Sequence, residues 1–327
     1  EADYTQPVLF VTAKESLEDK RVGFGVGADD YMVKPVDMNE MLLRVSALLR
    51  RAQIANEHRL TVGQCVLDDQ TLELTRGDVV LQLPPKEFYR LLREGNVCHT
   101  FQVTAEQAKP SVEASFKAGR DVVIVTFSSA LSGTASSFTI AANELMEKYP
   151  ARKTFIVDSL GGSLGEGMLL EYLVKKADAG ASIEEVYAYG DWLRHRIAYL
   201  FTVDDLDCLR RGGRISGAVA VVGKLLKIKP LLHANPKGLL MPIAKIVGRK
   251  RSLEALADEA AKRSDLSPED PIYISHGDCE EDAVKLAALM KERLGEHPTM
   301  INFVDPVMGA HGGPGVLAVF LKCKVRE

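Results

Sequence analysis

Three groups of residues in this 327-residue sequence have the types and spacing for chemistry. Ser128, Ser129, Ser132 and Thr134 cluster around Gly133, directly after the β-branched run 121–127 and before helical spacing over 135–148. Hydroxyl donors beside the free N–H groups of a helix start suit an anion or a carboxylate. The same residues also serve as the cap of an ordinary strand-to-helix turn. A second group, Gly161, Gly162, Ser163, Leu164 and Gly165, follows the apolar run 154–158 and fits the GxSxG pattern of a hydrolase nucleophile. Ser163 would then act with Asp305 and His311, which follow in acid-then-base order. Against this, four residues lie between Asp158 and Ser163, where a nucleophile elbow is a tight turn.

The third group lies in the second half. Arg210 and Arg211 precede Gly212 and Gly213, and Arg214 follows, making a compact basic turn. Such a turn is either solvated or a contact for phosphate or an acidic partner. His311 stands among Gly309, Gly312, Gly313 and Gly315. Backbone N–H groups there can form an anion nest, and a histidine so placed has little core to enter, which points to function.

Bulk properties narrow the classes. Apolar residues make up 46% and charged residues 26%, with a net charge of −4, which argues against a chain-wide nucleic-acid surface. The length suits two or more domains. Five cysteines (Cys65, Cys98, Cys208, Cys279, Cys323) are scattered without CxxC spacing, as expected of reduced thiols and not of a zinc or disulfide framework. No apolar stretch reaches the roughly 20 residues of a membrane span. The first residues lack the basic and apolar regions of a secretory leader. The expectation is a cytoplasmic protein with no membrane insertion. Gly223-Lys224 lacks the leading glycines of a phosphate loop, so no nucleotide cofactor is expected, and no metal.

The elements that must position these groups alternate. Apolar runs at 121–127, 154–158, 271–278 and 316–321 read as strands, 223–232 alternates toward one, and 105–118, 135–148 and 168–176 read as helices. That order predicts an α/β fold with ligands gathered where strands end.

The first 92 residues read differently. Strands are expected at 7–13 and 30–35, and helices at 16–27 and 38–51, the latter with Met41, Leu42, Val45, Leu48 and Leu49 on one face. Residues 1–58 resemble the last half of a response-regulator receiver, and 59–85, with the helix after it, resembles the opening of an OmpR-type winged helix. That resemblance makes Thr12 a switch threonine and Lys34 the lysine that pairs with a phosphoryl group. The acidic pair and phospho-accepting aspartate of a receiver are not in the sequence, nor does a basic recognition helix follow Leu92. A phosphorylated, DNA-binding regulator is therefore the weakest of the readings.

Residues 86–327 carry a second resemblance. The serine loop at 128–134, Val157 to Gly167, Phe201 to Ser216, Leu225 to Leu232 and Gly309 to Gly315 occur in the order and spacing of the DegV family. The resemblance implies two α/β lobes, 86–190 and 191–327, holding a long-chain fatty acid between them. It implies a dihydroxyacetone-kinase-like fatty acid kinase as partner, and a carrier that is not itself an enzyme. Ser129 and Ser132 would hold the carboxylate, with Ser128, Gly133 and Gly312 nearby and Thr100 and His311 assisting. Arg211 and Arg214 would face the kinase. Two features depart from the family: its opening strand is absent, and Phe101 replaces a serine. A serine hydrolase using Ser163 stays as the alternative.

Overall fold

The computed structural model describes residues 9–12, 28, 30–33, 59–62, 65–68, 73–76, 79–80, 85–204, 206–215 and 228–326. The chain forms two compact units, Glu1–Gln82 and Leu83–Glu327. In the first unit, β1 (Leu9–Thr12) and β2 (Asp30–Val33) pair in parallel, Leu9 opposite Asp30. Strands β3 (Arg59–Val62), β4 (Cys65–Asp68), β5 (Glu73–Arg76) and β6 (Val79–Val80) form a separate antiparallel meander. The helices expected at 16–27 and 38–51, and Lys34, lie outside the described residues. Thr12 ends β1.

The second unit opens with α1 (Pro85–Arg93) and α2 (Ala105–Lys117). Thr104 and Gln107 form a reciprocal capping box that fixes where α2 begins. Then come β7 (Val122–Thr126), α3 (Thr134–Lys148), β8 (Thr154–Asp158), α4 (Leu164–Asp178) and α5 (Ile183–Leu193). Strands β7 and β8 pair in parallel, Val122 opposite Thr154. Among the described residues β7 has no second neighbour, and its other side lines a cavity of about 270 Å³ with Val112, Phe138 and Leu170.

The remainder is built on β9 (Ile197–Thr202), α6 (Asp207–Arg211), β10 (Ile228–Ala234), β11 (Leu240–Val247), α7 (Arg249–Arg263), β12 (Ile272–His276), α8 (Glu280–Leu294), β13 (Thr299–Phe303), α9 (Pro306–Gly312) and β14 (Leu317–Lys322). Six strands make one mixed sheet in the order β11-β10-β9-β14-β12-β13. Only β12 and β13 run parallel within it. Central β14 and β9 are apolar on both faces because both are covered. One face packs Leu253, Leu256, Ala257 and Ala260 of α7 and Leu286 of α8. The other packs Met168, Leu169 and Leu173 of α4 against Tyr199 and Phe320. Phe88 and Tyr89 of α1 close a third core with Val203, Leu209 and Leu232.

Several elements differ from the sequence reading. Helices α5, α7 and α8 and strand β13 were not expected. Helix α4 starts at Leu164, not Met168, so Ser163 stands at its N-cap. His311 is not in a glycine turn but in the last turn of α9, which Asp305 caps and Pro306 opens. No described helix is long and apolar enough to cross a membrane.

Candidate functional site

The loop after β7 is positioned by hydrogen bonds at both ends. Ser128 is fully buried and its hydroxyl donates to the carbonyl of Gly238, 3.0 Å away, in the turn between β10 and β11. Its N–H donates to the carbonyl of Gly161 at 2.9 Å. Ser128 is thus used structurally and does not offer its hydroxyl to a ligand. Ser129 is exposed, with its N–H 3.2 Å from Oδ1 of Asp158 and its hydroxyl 2.5 Å from Oδ2. Ser132 and Thr134 share a hydrogen bond at 2.9 Å. Gly133 donates its N–H to Oε1 of Gln102 at 3.0 Å, and a Cβ at Gly133 would fall 2.2 Å from that oxygen. Gly312 packs against Val316 and marks the end of α9.

The loop after β8 answers the first. Oδ1 of Asp158 also accepts from Leu160 N–H at 3.0 Å, and the Ser159 hydroxyl donates to the Gly161 carbonyl at 3.1 Å. Leu160 adopts φ +54° and Ser163 φ +56°, conformations that non-glycine residues hold only when their surroundings impose them. Gly161 needs to be glycine because a Cβ there would lie 2.1 Å from the Tyr199 ring.

Two segments from distant parts of the chain complete the neighbourhood. Thr100 Oγ1 lies 2.7 Å from Nε2 of His311. Nδ1 of His311 is buried without a partner and faces Gly212, where a Cβ would be 2.0 Å away. A proton on Nδ1 would be an unsatisfied buried donor, so the arrangement favours the tautomer with the proton on Nε2, donated to Thr100. The Thr100 hydroxyl hydrogen is then free for another acceptor. Burial, and then the Arg214 guanidinium, hold the His311 pKa below the ordinary value, so the ring is neutral near pH 7. Arg214 joins the basic turn to the serine loop: its Nε donates to Leu131 carbonyl at 3.2 Å and its Nη1 to Gly212 carbonyl at 2.5 Å. Arg211 is exposed and its Nη2 points to Sγ of Cys208 at 3.2 Å.

Ser163, Asp305 and His311 do not form a triad. Ser163 donates to the Ser275 hydroxyl at 3.2 Å, Asp305 accepts from Val307 and Met308 N–H groups, and His311 pairs with Thr100. Half-buried Glu166, in the first turn of α4, has its pKa raised to about 7 by burial first and then by Asp305 and Asp158. Among the described residues, no cluster of three His, Cys, Asp or Glu could hold a metal.

The sequence placed Thr100, His311 and the serine loop together through the family resemblance, but it set Arg214 apart as a partner contact and missed Asp158, Gln102 and Gly238. Asp158 could have been suspected as a carboxylate ending a strand beside a small-residue loop. Gln102 and Gly238 left no local signal.

The chain matches the family model "Uncharacterised protein, DegV family" over residues 56–324. That span takes in the 59–85 stretch read as winged-helix-like, and these matches do not carry the response-regulator resemblance. The chain is 42% identical over 246 residues to a DegV domain-containing protein of Clostridium perfringens, covering 75% of this chain and 84% of that one. A DegV lipid binding protein from Thermotoga maritima is similar in structure, with a TM-score of 0.66, 23% identity, and coverage of 98% of this chain and 100% of that one. The Streptococcus pneumoniae Fatty Acid Kinase B3 protein loaded with linoleic acid has a TM-score of 0.67 and 22% identity, covering 77% and 89%. At these identities the structural likeness establishes a shared fold.

Proposed function

The chain belongs to the DegV family, and we propose that it binds a long-chain fatty acid and presents the carboxylate to a fatty acid kinase. The observation that carries this reading is the Thr100–His311 pair at 2.7 Å, beside a loop rich in hydroxyls and N–H groups. Neutral His311 donating to Thr100 leaves one hydroxyl hydrogen for a carboxylate oxygen. Ser132 lies next along the serine loop, and Ser129 can supply its hydroxyl once it turns from Asp158. A carboxylate taken from water needs several such donors, while the acyl chain needs only apolar walls. Relatives of the same fold described as lipid binding and as loaded with linoleic acid support the ligand class. The protein in this reading carries and presents; the partner performs phosphoryl transfer to the carboxylate. Exposed Arg211 would meet the kinase, while Arg214, tied to Leu131, would transmit the state of the head-group loop. Among the described residues, the Ser163 hydroxyl meets Ser275 and not a base, which leaves the hydrolase alternative without support.

Native mass spectrometry of purified protein, before and after organic extraction, tests the reading. A bound mass equal to a fatty acid that disappears on extraction and returns with added oleate is expected. A folded protein that never takes up oleate would refute it.

A further inference from the structure

We infer that Arg326 is a positioning residue for the head-group site, setting the loop after β8 that in turn holds Ser129; the inference rests on the fatty-acid reading above. Arg326 is 5% exposed, an unusual place for a guanidinium, and among the described residues its side-chain hydrogen bonds go to carbonyls and not to a carboxylate. Its charge is met by carbonyls. Nη1 donates to Leu160 carbonyl at 2.9 Å, and Nη2 donates to Ser159 carbonyl at 3.4 Å and to the Arg194 carbonyl. The guanidinium carbon stacks 4.8 Å above the Tyr199 ring, whose hydroxyl also donates to the Ser159 carbonyl at 3.4 Å. The Arg326 N–H donates to His195 carbonyl at 2.9 Å, which fixes the stem.

Two of the three carbonyls so gripped belong to the two residues after Asp158. Leu160 is in the left-handed region, and a planar fork is suited to hold its carbonyl and that of Ser159 at once. From there the path is short: Leu160 N–H and Ser129 N–H share Oδ1 of Asp158, Ser129 hydroxyl takes Oδ2, and Gly161 carbonyl takes Ser128 N–H. Releasing Arg326 frees the loop that fixes both serines. Lysine is no substitute, because one ammonium cannot stack on Tyr199 and span the carbonyls of 159, 160 and 194 together.

The test compares oleate with oleyl alcohol, which has the same chain and no carboxylate, in the full chain and in Arg326→Ala, Arg326→Lys and Tyr199→Phe. Oleate affinity is expected to fall about tenfold in both Arg326 variants and about threefold in Tyr199→Phe, with oleyl alcohol changed less than twofold. A purely structural role would weaken both ligands equally or lower only the melting temperature, and that result overturns the inference. If Arg326 variants do not fold, Tyr199→Phe decides on the same ratio. Failure of the unmodified protein to bind oleate overturns the fatty-acid reading and the inference with it. Oleate binding that is indifferent to Arg326 overturns the inference alone.

Discussion

The hydroxyl of Ser129 lies 2.5 Å from Oδ2 of Asp158 and its N–H lies 3.2 Å from Oδ1, so both donors already serve an internal carboxylate. A fatty acid bound as proposed would compete with Asp158 for them and approach against its charge. Asp158→Asn keeps an oxygen for the Ser129 and Leu160 N–H groups while removing that charge. Oleate titration should show affinity about fivefold tighter than in the parent protein, near 1 kcal/mol. Asp158→Ala orphans two N–H groups and should lose about 1–3 kcal/mol of stability. Weaker oleate binding in the asparagine variant would refute the competition.

Thr100→Val keeps the shape and removes the hydroxyl that His311 orients. Oleate affinity should fall roughly tenfold, about 1.4 kcal/mol, with the melting temperature nearly unchanged. His311→Ala should match it, and the double variant should be little worse than either alone, because one hydrogen-bonded pair is lost in each case. Additive losses would show that the two residues act separately.

The two arginines of the basic turn should separate. Arg211→Glu leaves oleate binding intact and blocks kinase-dependent phosphorylation of the bound acid, whereas Arg214→Ala reduces both by freeing Leu131. A coupled kinase assay beside a binding titration distinguishes them. Full phosphorylation of Arg211→Glu-bound oleate would remove this turn from the kinase interface.

Glu166 gives the fold a pH signature. Its pKa is raised from 4.5 to about 7, so the folded chain holds this proton more tightly than the unfolded chain. The stabilisation is complete below about 4.5 and is lost as pH rises through about 7. The loss is bounded by about 3 kcal/mol at roughly 1.4 kcal/mol per unit. Glu166→Gln should flatten the dependence of melting temperature on pH between those values. Identical slopes for the two proteins would contradict the assignment.

Gly161→Ala places a methyl carbon where the Tyr199 ring stands, 2.1 Å from its nearest atom. Denaturant unfolding should show a loss of at least about 2 kcal/mol, since Tyr199 is itself locked between Phe320 and Arg326. A neutral outcome would mean that the loop after β8 moves more freely than its hydrogen bonds imply.

Much of this was legible beforehand where one short stretch decides the structure. Val122–Thr126 and Thr154–Asp158 are β-branched runs ending in small residues, and both become strands ending at the site. Helix α7 was missed although its apolar stripe, Leu253, Leu256, Ala257 and Ala260, has helical spacing, because charged residues crowd around it. His311 was assigned to a turn on its glycines, while the aspartate cap and following proline six and five residues earlier were the stronger local signal. Ser128 and Asp158 were beyond reach for another reason. Their roles depend on partners 110 and 29 residues away, which no local pattern specifies.

The bond from Ser128 to Gly238 also bears on timing. With Ser163 to Ser275, Tyr172 to Asp270 and Arg214 to Leu131, it adds polar stitches between the first strands and helices of this unit and the six-stranded sheet with its adjoining turns, beside the apolar core that Val157 and α4 share with Tyr199, Tyr273 and Phe320. In the proposed carrier, an acyl chain held between these layers leaves only when several stitches part together. Exchange is therefore paced by the opening of the protein, so that residence time and affinity become separately tunable: loosening a stitch quickens loading and unloading alike while leaving the head-group contacts in place.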